Sequence, residues 1–466
     1  MAKSVFGVIG LGVMGGNLSH NIVKNDFSLS VYNRAVEGEA HLVTDFLNEH
    51  KTEDSVFGTT QLEEFVASLE RPRKIFIMIK AGSAIDYLID QLLPLLSEND
   101  IVIDGGNSYY EDTNRREKYL EKKGISYIGC GVSGGALGAL NGPSLMVGGT
   151  HGAYSEIKVI LESIAAKDKE NEPCCALLGP EGSGHFIKMI HNGIEYVEMQ
   201  LLAELYALLS TQYSNDQIAS IFSEWNKSEL NSYLLDITAQ ILNKKENGTY
   251  VIDFILDKAG NKGTGSWSSK VAFDLGSVNT MMASAVFARY MSSFKTQREI
   301  LSEQILTKRE VEELNLKTLK SAYKFARIIN HYQGFEILRQ ASKAYNWGLN
   351  LSEIARVWTN GCIIRSTFME QSIDLLDHGQ SYLDHKSVIE LLERSEVDIK
   401  DILGTGLKVR ISLSAFHSAY DYWIAMTTKR LPANLIQAQR DYFGAHTYQK
   451  IGHSYDEYFH TNWETI

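Results

Sequence analysis

The sequence predicts an α/β domain over residues 1–181, a large all-α domain over 182–440 and a C-terminal tail over 441–466. Three observations predict this division. A glycine-rich turn, Gly10-Leu11-Gly12-Val13-Met14-Gly15, follows an apolar run near the start of the chain. Short apolar runs alternate with helix-length segments up to about residue 180, the β–α–β pattern of a mostly parallel sheet covered by helices. No proline then occurs between Pro180 and Pro432, as suits long helices, because an interior proline costs about 3 kcal/mol.

The expected strands are Val5–Ile9, Leu29–Tyr32, Ile75–Ile79, Ile101–Ile103 and Leu145–Val147. Beyond them, Ile194–Ser210 and Leu314–Asn330 carry apolar residues at helical spacing. The chain has 466 residues, 44% hydrophobic and 22% charged, enough apolar material for the cores of two or three domains. A net charge of −12 argues against nucleic acid or an anionic membrane as partner. No apolar run approaches the roughly 18 residues of a membrane span. An anionic substrate would therefore need a local basic pocket. Cys130, Cys174, Cys175 and Cys362 form no C-x-x-C pair, so reduced thiols, a cytoplasmic setting and no metal site are expected.

Gly10, Gly12 and Gly15 stand where a dinucleotide-binding unit needs glycine. The first makes a tight turn, the second lets backbone approach a pyrophosphate, and the third lets helix and strand pack closely; the helix N-terminus attracts the anion. The first domain thus reads as Rossmann-like, the alternative being a turn that binds nothing. The second strand ends in Tyr32-Asn33-Arg34-Ala35. An acid there would accept from a ribose 2′-hydroxyl, whereas Arg34 suits a 2′-phosphate and hence NADP. Stacking of Arg34 on the adenine of either cofactor stays open.

The segment Gly182–Tyr196 is the most informative. With Lys188 as origin, His191, Asn192, Glu195 and Tyr196 fall at i+3, i+4, i+7 and i+8, within an arc of roughly 140°. Ile187, Met189, Ile190, Ile194 and Val197 fill the gaps. A packed helix with one polar stripe is expected, and buried lysine and glutamate are costly unless paired or functional. A salt bridge on a solvated face would explain the charges but not the His-Asn-Tyr company. Asp104-Gly105-Gly106-Asn107-Ser108, after a strand, and Ser133-Gly134-Gly135 can form an opposite wall or be simple turns.

Together the motifs resemble the 6-phosphogluconate dehydrogenase family: GLGVMG at 10–15, DGGNS at 104–108, GVSGG at 131–135 and GHFIKMIHNGIEY at 184–196, then KGTG at 262–265, VFARYMSS at 286–293 and QRDYFGAHTY at 439–448. The resemblance implies a homodimer whose tail reaches the neighbouring subunit, with NADP as cofactor and 6-phosphogluconate as substrate. It assigns Gly10, Leu11, Gly12, Val13, Met14, Gly15, Asn33, Arg34, Ala35, Ile79, Lys80, Ala81 and Asn107 to the cofactor. Asn107, Ser133, Gly134, Gly135, His191 and Asn192 would hold the carboxylate and hydroxyl end of the substrate. Tyr196, Lys262 and Arg289 would bind its phosphate, with Arg440 and His446 from the partner chain. Ala35 and Ser266 depart from the Ser or Thr, and the Lys, that relatives often carry.

The implied reaction is oxidation at C3 followed by loss of carbon dioxide, with Lys188 as base and Glu195 as the acid that protonates the product carbon. A non-decarboxylating 3-hydroxy acid dehydrogenase would lack the long helical extension and the Arg440/His446 tail. An NADP-binding sensor without chemistry would not need Lys188 and Glu195 on one face.

Overall fold

Eight strands form the main sheet: β1 (Phe6–Ile9), β2 (Leu29–Tyr32), β3 (Val56–Thr59), β4 (Lys74–Ile77), β5 (Ile101–Asp104), β6 (Ser126–Ser133), β7 (Ser144–Gly148) and β8 (Cys175–Gly179). The computed structural model describes residues 3–260, 263–305 and 313–463, and only the backbone of Thr264. The sheet order is β3-β2-β1-β4-β5-β6-β7-β8. Neighbours are parallel except β6 and β7, which run antiparallel. Chain order reverses between β1 and β4, which opens a crevice at the carboxyl ends of those strands.

The apolar runs anticipate β1, β2, β4, β5 and β7. They do not anticipate β3, β6 or β8. β6 contains Gly129 and Gly131, which mask its strand character; of the segment that reads as a glycine-rich turn, Ser133 ends this long strand and Gly134 and Gly135 open the helix after it. Side chains alternate across the sheet. Phe6, Val8, Ile101 and Ile103 enter one core with Leu18, Ile22, Ile157 and Leu161. Ile9, Ile75, Ile77 and Val102 enter the other with Phe65, Ile85 and Ile89.

After β8 the chain becomes helical. The 27-residue helix Ser183–Leu209 lies on β6 and β7 and packs against the helix Leu316–Ala344. Buried Glu198 joins these two helices, 3.1 Å from the Tyr323 hydroxyl and 3.2 Å from Arg327 Nε. Removing Glu198 would leave the buried Arg327 charge without its carboxylate, so this contact helps to fix the long helix in place. No helix among the described residues is long and apolar enough to cross a membrane.

The chain packs as two units, Met1–Ala419 and Tyr420–Ile466. Within the second, the helix Ala433–Gly444 precedes a Tyr448–Phe459 bridge. Its organiser is Asp441, whose carboxylate accepts from Thr447 N–H at 2.9 Å, Thr461 N–H at 3.1 Å and Trp463 Nε1 at 2.8 Å, and pairs with His460 Nδ1 at 2.9 Å.

Candidate active site

The glycine turn joins β1 to the helix Val13–Lys24. A Cβ at Gly10 would lie 2.6 Å from the Met78 carbonyl oxygen, and one at Gly15 would overlap the Gly10 carbonyl oxygen. Packing alone therefore demands both glycines. A Cβ at Gly12 would meet nothing within 4 Å. Gly12 faces open space beside a cavity of about 530 Å³, lined also by Gly10, Asn33, Arg34, Glu39, Ile79 and Lys80. Free backbone at Gly12 over this cavity fits a dinucleotide pyrophosphate.

Asn33 accepts from Leu11 N–H at 2.9 Å and so ties the end of β2 to the glycine turn. Arg34 is exposed and forks onto Glu39, Nε and Nη2 each 3.1 Å from a carboxylate oxygen. Its hydrogen bonds hold the Glu39 carboxyl below the usual carboxylate range. Leu11, Val13 and Met14 belong to the glycine turn and the start of its helix, and Ala35 and Ala81 to the segments that follow β2 and β4. Asn107 is exposed just beyond the carboxyl end of β5.

Asp104 shapes that end of β5. Its carboxylate accepts from Gly106 N–H at 3.0 Å, the Ser108 hydroxyl at 2.6 Å and the Tyr127 hydroxyl at 2.8 Å. Its carbonyl meets His185 Nε2 at 3.0 Å. The loop beside the cofactor cavity is thereby bonded to the helix that carries Lys188. Burial lowers the His185 pKa, so the neutral ring donates from Nε2 and accepts from the Thr113 hydroxyl, 2.7 Å away, at Nδ1.

Lys188, His191, Asn192 and Tyr196 are all buried on one stripe of the long helix. The helix approaches this closely because Gly131 of β6 has no side chain; a Cβ there would overlap Lys188 Cβ. Lys188 Nζ lies 3.2 Å from His191 Nδ1, and His191 Nε2 lies 3.1 Å from the Ser133 hydroxyl. Burial, then the charge of Lys188, pushes the His191 pKa well down, so its ring is neutral. With Nε2–H toward Ser133, Nδ1 accepts from Lys188. Glu195 Oε2 stands 3.6 Å from the same Nδ1. Burial raises the Glu195 carboxyl, with Lys188 and Arg289 opposing it, which shifts it toward its protonated form. Burial lowers the Lys188 pKa, with Glu195 opposing it. Neighbouring groups are thus shifted in opposite directions by burial.

Arg289 stacks over the Tyr196 ring, 3.4 Å from its centroid, and donates to the Gly260 carbonyl at 3.3 Å. Lys262 lies outside the described residues. Arg440 and His446 belong to the second unit and are exposed there. Ser266 caps its own turn, its hydroxyl 2.6 Å from the Gly263 carbonyl. Gly134 and Gly135 follow β6 and open a short helix, and a Cβ at Gly134 would overlap the Gly361 carbonyl oxygen.

That contact belongs to a wall the sequence does not reveal. Trp358 packs edge-on to His191 at 5.5 Å, and the Cys362 thiol donates to the Trp358 carbonyl at 3.0 Å. Glu39 is the other unanticipated member of the site. Neither has a periodic or motif signal that could mark it.

The family model described as the NAD binding domain of 6-phosphogluconate dehydrogenase matches residues 5–179, and that described as the 6-phosphogluconate dehydrogenase C-terminal domain matches 184–463. The NADP(+)-dependent, decarboxylating 6-phosphogluconate dehydrogenase of Bacillus subtilis is 45% identical, across 99% of this chain and 100% of that protein. The Escherichia coli decarboxylating enzyme is 41% identical, across 99% of this chain and 100% of that protein. A solved structure of Plasmodium falciparum 6-phosphogluconate dehydrogenase, described in apo form and in complex with NADP+ and with 6-phosphogluconate, superposes with a TM-score of 0.92 at 37% identity, covering 98% of this chain and 100% of that one. With both halves of the chain matched in order around a glycine turn and a buried lysine helix, the protein belongs to the 6-phosphogluconate dehydrogenase family.

Proposed function

We infer that the chain oxidises and decarboxylates 6-phospho-D-gluconate to D-ribulose 5-phosphate and carbon dioxide while reducing NADP to NADPH, a step of the pentose phosphate pathway. The observation that carries this reading is the stripe of buried Lys188 and His191 with half-buried Glu195, facing Ser133. NADP, held by the 10–15 turn, Asn33, Arg34, Ala35, Ile79, Lys80, Ala81 and Asn107, supplies the hydride acceptor.

Lys188, its pKa lowered by desolvation, takes the proton of the substrate 3-hydroxyl as C3 is oxidised. The resulting keto group lies β to the carboxylate. The C1–C2 bond then breaks, carbon dioxide leaves, and the electron pair passes into an enediolate across C2 and C3. Protonated Lys188 hydrogen-bonds the enediolate oxygen. Glu195, its carboxyl raised by burial, delivers a proton to C2. Asn107, Ser133, Gly134, Gly135, His191 and Asn192 hold the carboxylate and hydroxyl end. Tyr196, Lys262 and Arg289 bind the phosphate, with Arg440 and His446 of the partner subunit.

The division into 1–181, 182–440 and 441–466 separates cofactor binding, substrate binding with dimerisation, and completion of the neighbouring site. Exposed Phe273, Phe287, Met291 and Phe294 in the helical part, and Leu435, Ile436 and Phe443 in the second unit, support a homodimer with shared sites. Four free, buried cysteines suit the reducing cytoplasm.

The test is product stoichiometry. NADPH and carbon dioxide should form in equal amounts from 6-phosphogluconate; NADPH without carbon dioxide would indicate the non-decarboxylating reaction, and binding without turnover a sensor. Glu195→Gln should still release carbon dioxide in a single turnover but incorporate solvent tritium into the product more slowly. A block of oxidation as complete as that of a Lys188 variant would defeat the assigned roles.

A further inference from the structure

We propose that Glu39 is a specificity-determining residue of the cofactor site, its carboxylate competing with the adenosine 2′-phosphate for Arg34 and so narrowing the preference for NADP over NAD. The inference rests on the reading that Arg34 holds the 2′-phosphate.

The geometry is a closed fork. Glu39 takes Arg34 Nε and Nη2, both at 3.1 Å, and Asn33 Nδ2 at 3.3 Å. Asn33 is itself pinned to the glycine turn through Leu11 N–H. The carboxylate is thus anchored to two residues at the end of β2, and Arg34 and Glu39 both line the dinucleotide cavity. The Nε/Nη2 edge is the guanidinium face best suited to bidentate contact with a phosphate. A 2′-phosphate must either displace Glu39 from that edge or bind beside it, against a like charge. A 2′-hydroxyl meets neither obstacle and can donate to the carboxylate. Ala35, the next residue, has no hydroxyl with which to compensate. The second cation lining the cavity is Lys80, which follows β4 rather than β2.

The side chains of Arg34 and Glu39 are 68% and 37% exposed, so the effect is modest and sensitive to salt. The test compares kcat/KM for NADP and NAD, and binding of NADPH and NADH, in the full-length enzyme and its variants. Glu39→Gln, which keeps an acceptor but no charge, and Glu39→Ala, which keeps neither, should raise the NADP-to-NAD ratio about two- to fivefold. The gain should be larger at about 0.02 M salt than at about 0.5 M, and should disappear in an Arg34→Ala background. An unchanged or lowered ratio in both Glu39 variants at low salt would overturn the proposal. Arg34→Ala alone separates the two layers. If it leaves NADP binding intact, the reading of Arg34 fails; if it weakens NADP while the Glu39 variants change nothing, only the competition fails.

Discussion

The site has two working regions built on opposite physical terms. The Lys188 stripe is buried against β6, and its groups are tuned by removal from water. The Asn33–Glu39 rim is largely open to solvent, and its groups are tuned by one another through an ion pair. Electrostatic effects in the first are strong and insensitive to salt; in the second they are small and screened. On the proposed roles, chemistry sits where desolvation can shift protonation, and cofactor choice where charges remain exchangeable.

The largest expected effect comes from removing the buried charge. Lys188→Met should cost at least about 10²–10⁴-fold in turnover, the usual contribution of a general acid or base. It should also stabilise the fold. Lys188 has a folded pKa below its ordinary 10.5, so between those values the unfolded chain binds more protons and stability rises with pH. Thermal melts across alkaline pH should show that slope in wild type and its loss, with a higher melting point, in the variant. A variant that melts lower would mean that Lys188 is held by favourable pairing rather than tolerated at a cost.

A smaller effect is expected from spoiling the approach of helix to strand. Gly131→Ala puts a Cβ in overlap with Lys188 Cβ, an overpacking that costs about 1–3 kcal/mol. Displacing Lys188 by about 1 Å should lower kcat up to about 10²-fold, while NADPH binding at the rim is unchanged. Equal losses in both measurements would erase the separation between the two regions. The smallest effect belongs to the rim. Ala35→Ser adds a hydroxyl beside Arg34, worth about 0.5–1.5 kcal/mol if it reaches the 2′-phosphate. It should tighten NADP several-fold without altering kcat; a change in kcat would tie the rim to the chemistry.

The two regions also differ in how far the sequence discloses them. Lys188, His191, Asn192, Glu195 and Tyr196 share a stripe because a helix repeats every 3.6 residues, so linear spacing is enough. Gly10, Gly12 and Gly15 are legible for a similar reason, since each backbone demand falls at a fixed offset. Gly131 is not legible, because what requires it is Lys188, which reaches it only once helix and sheet pack. The same holds for Trp358 and Gly361, far along the chain from the residues they press against. Glu39 follows Arg34 closely, but an irregular turn brings them together, and no period marks it. Nor does the pattern of apolar runs distinguish an antiparallel β7 from a parallel one, because a buried strand presents the same composition in either direction.

Asp441 gathers donors from both ends of the stretch that follows it, Thr447 on one side and Thr461 and Trp463 on the other. Most of the ordering of this segment is therefore completed inside its own chain. A disordered extension must give up conformational freedom when it docks, which subtracts from its affinity. In the proposed dimer, a segment already closed on one carboxylate would dock with that loss behind it, and more of its contact energy would be left for association.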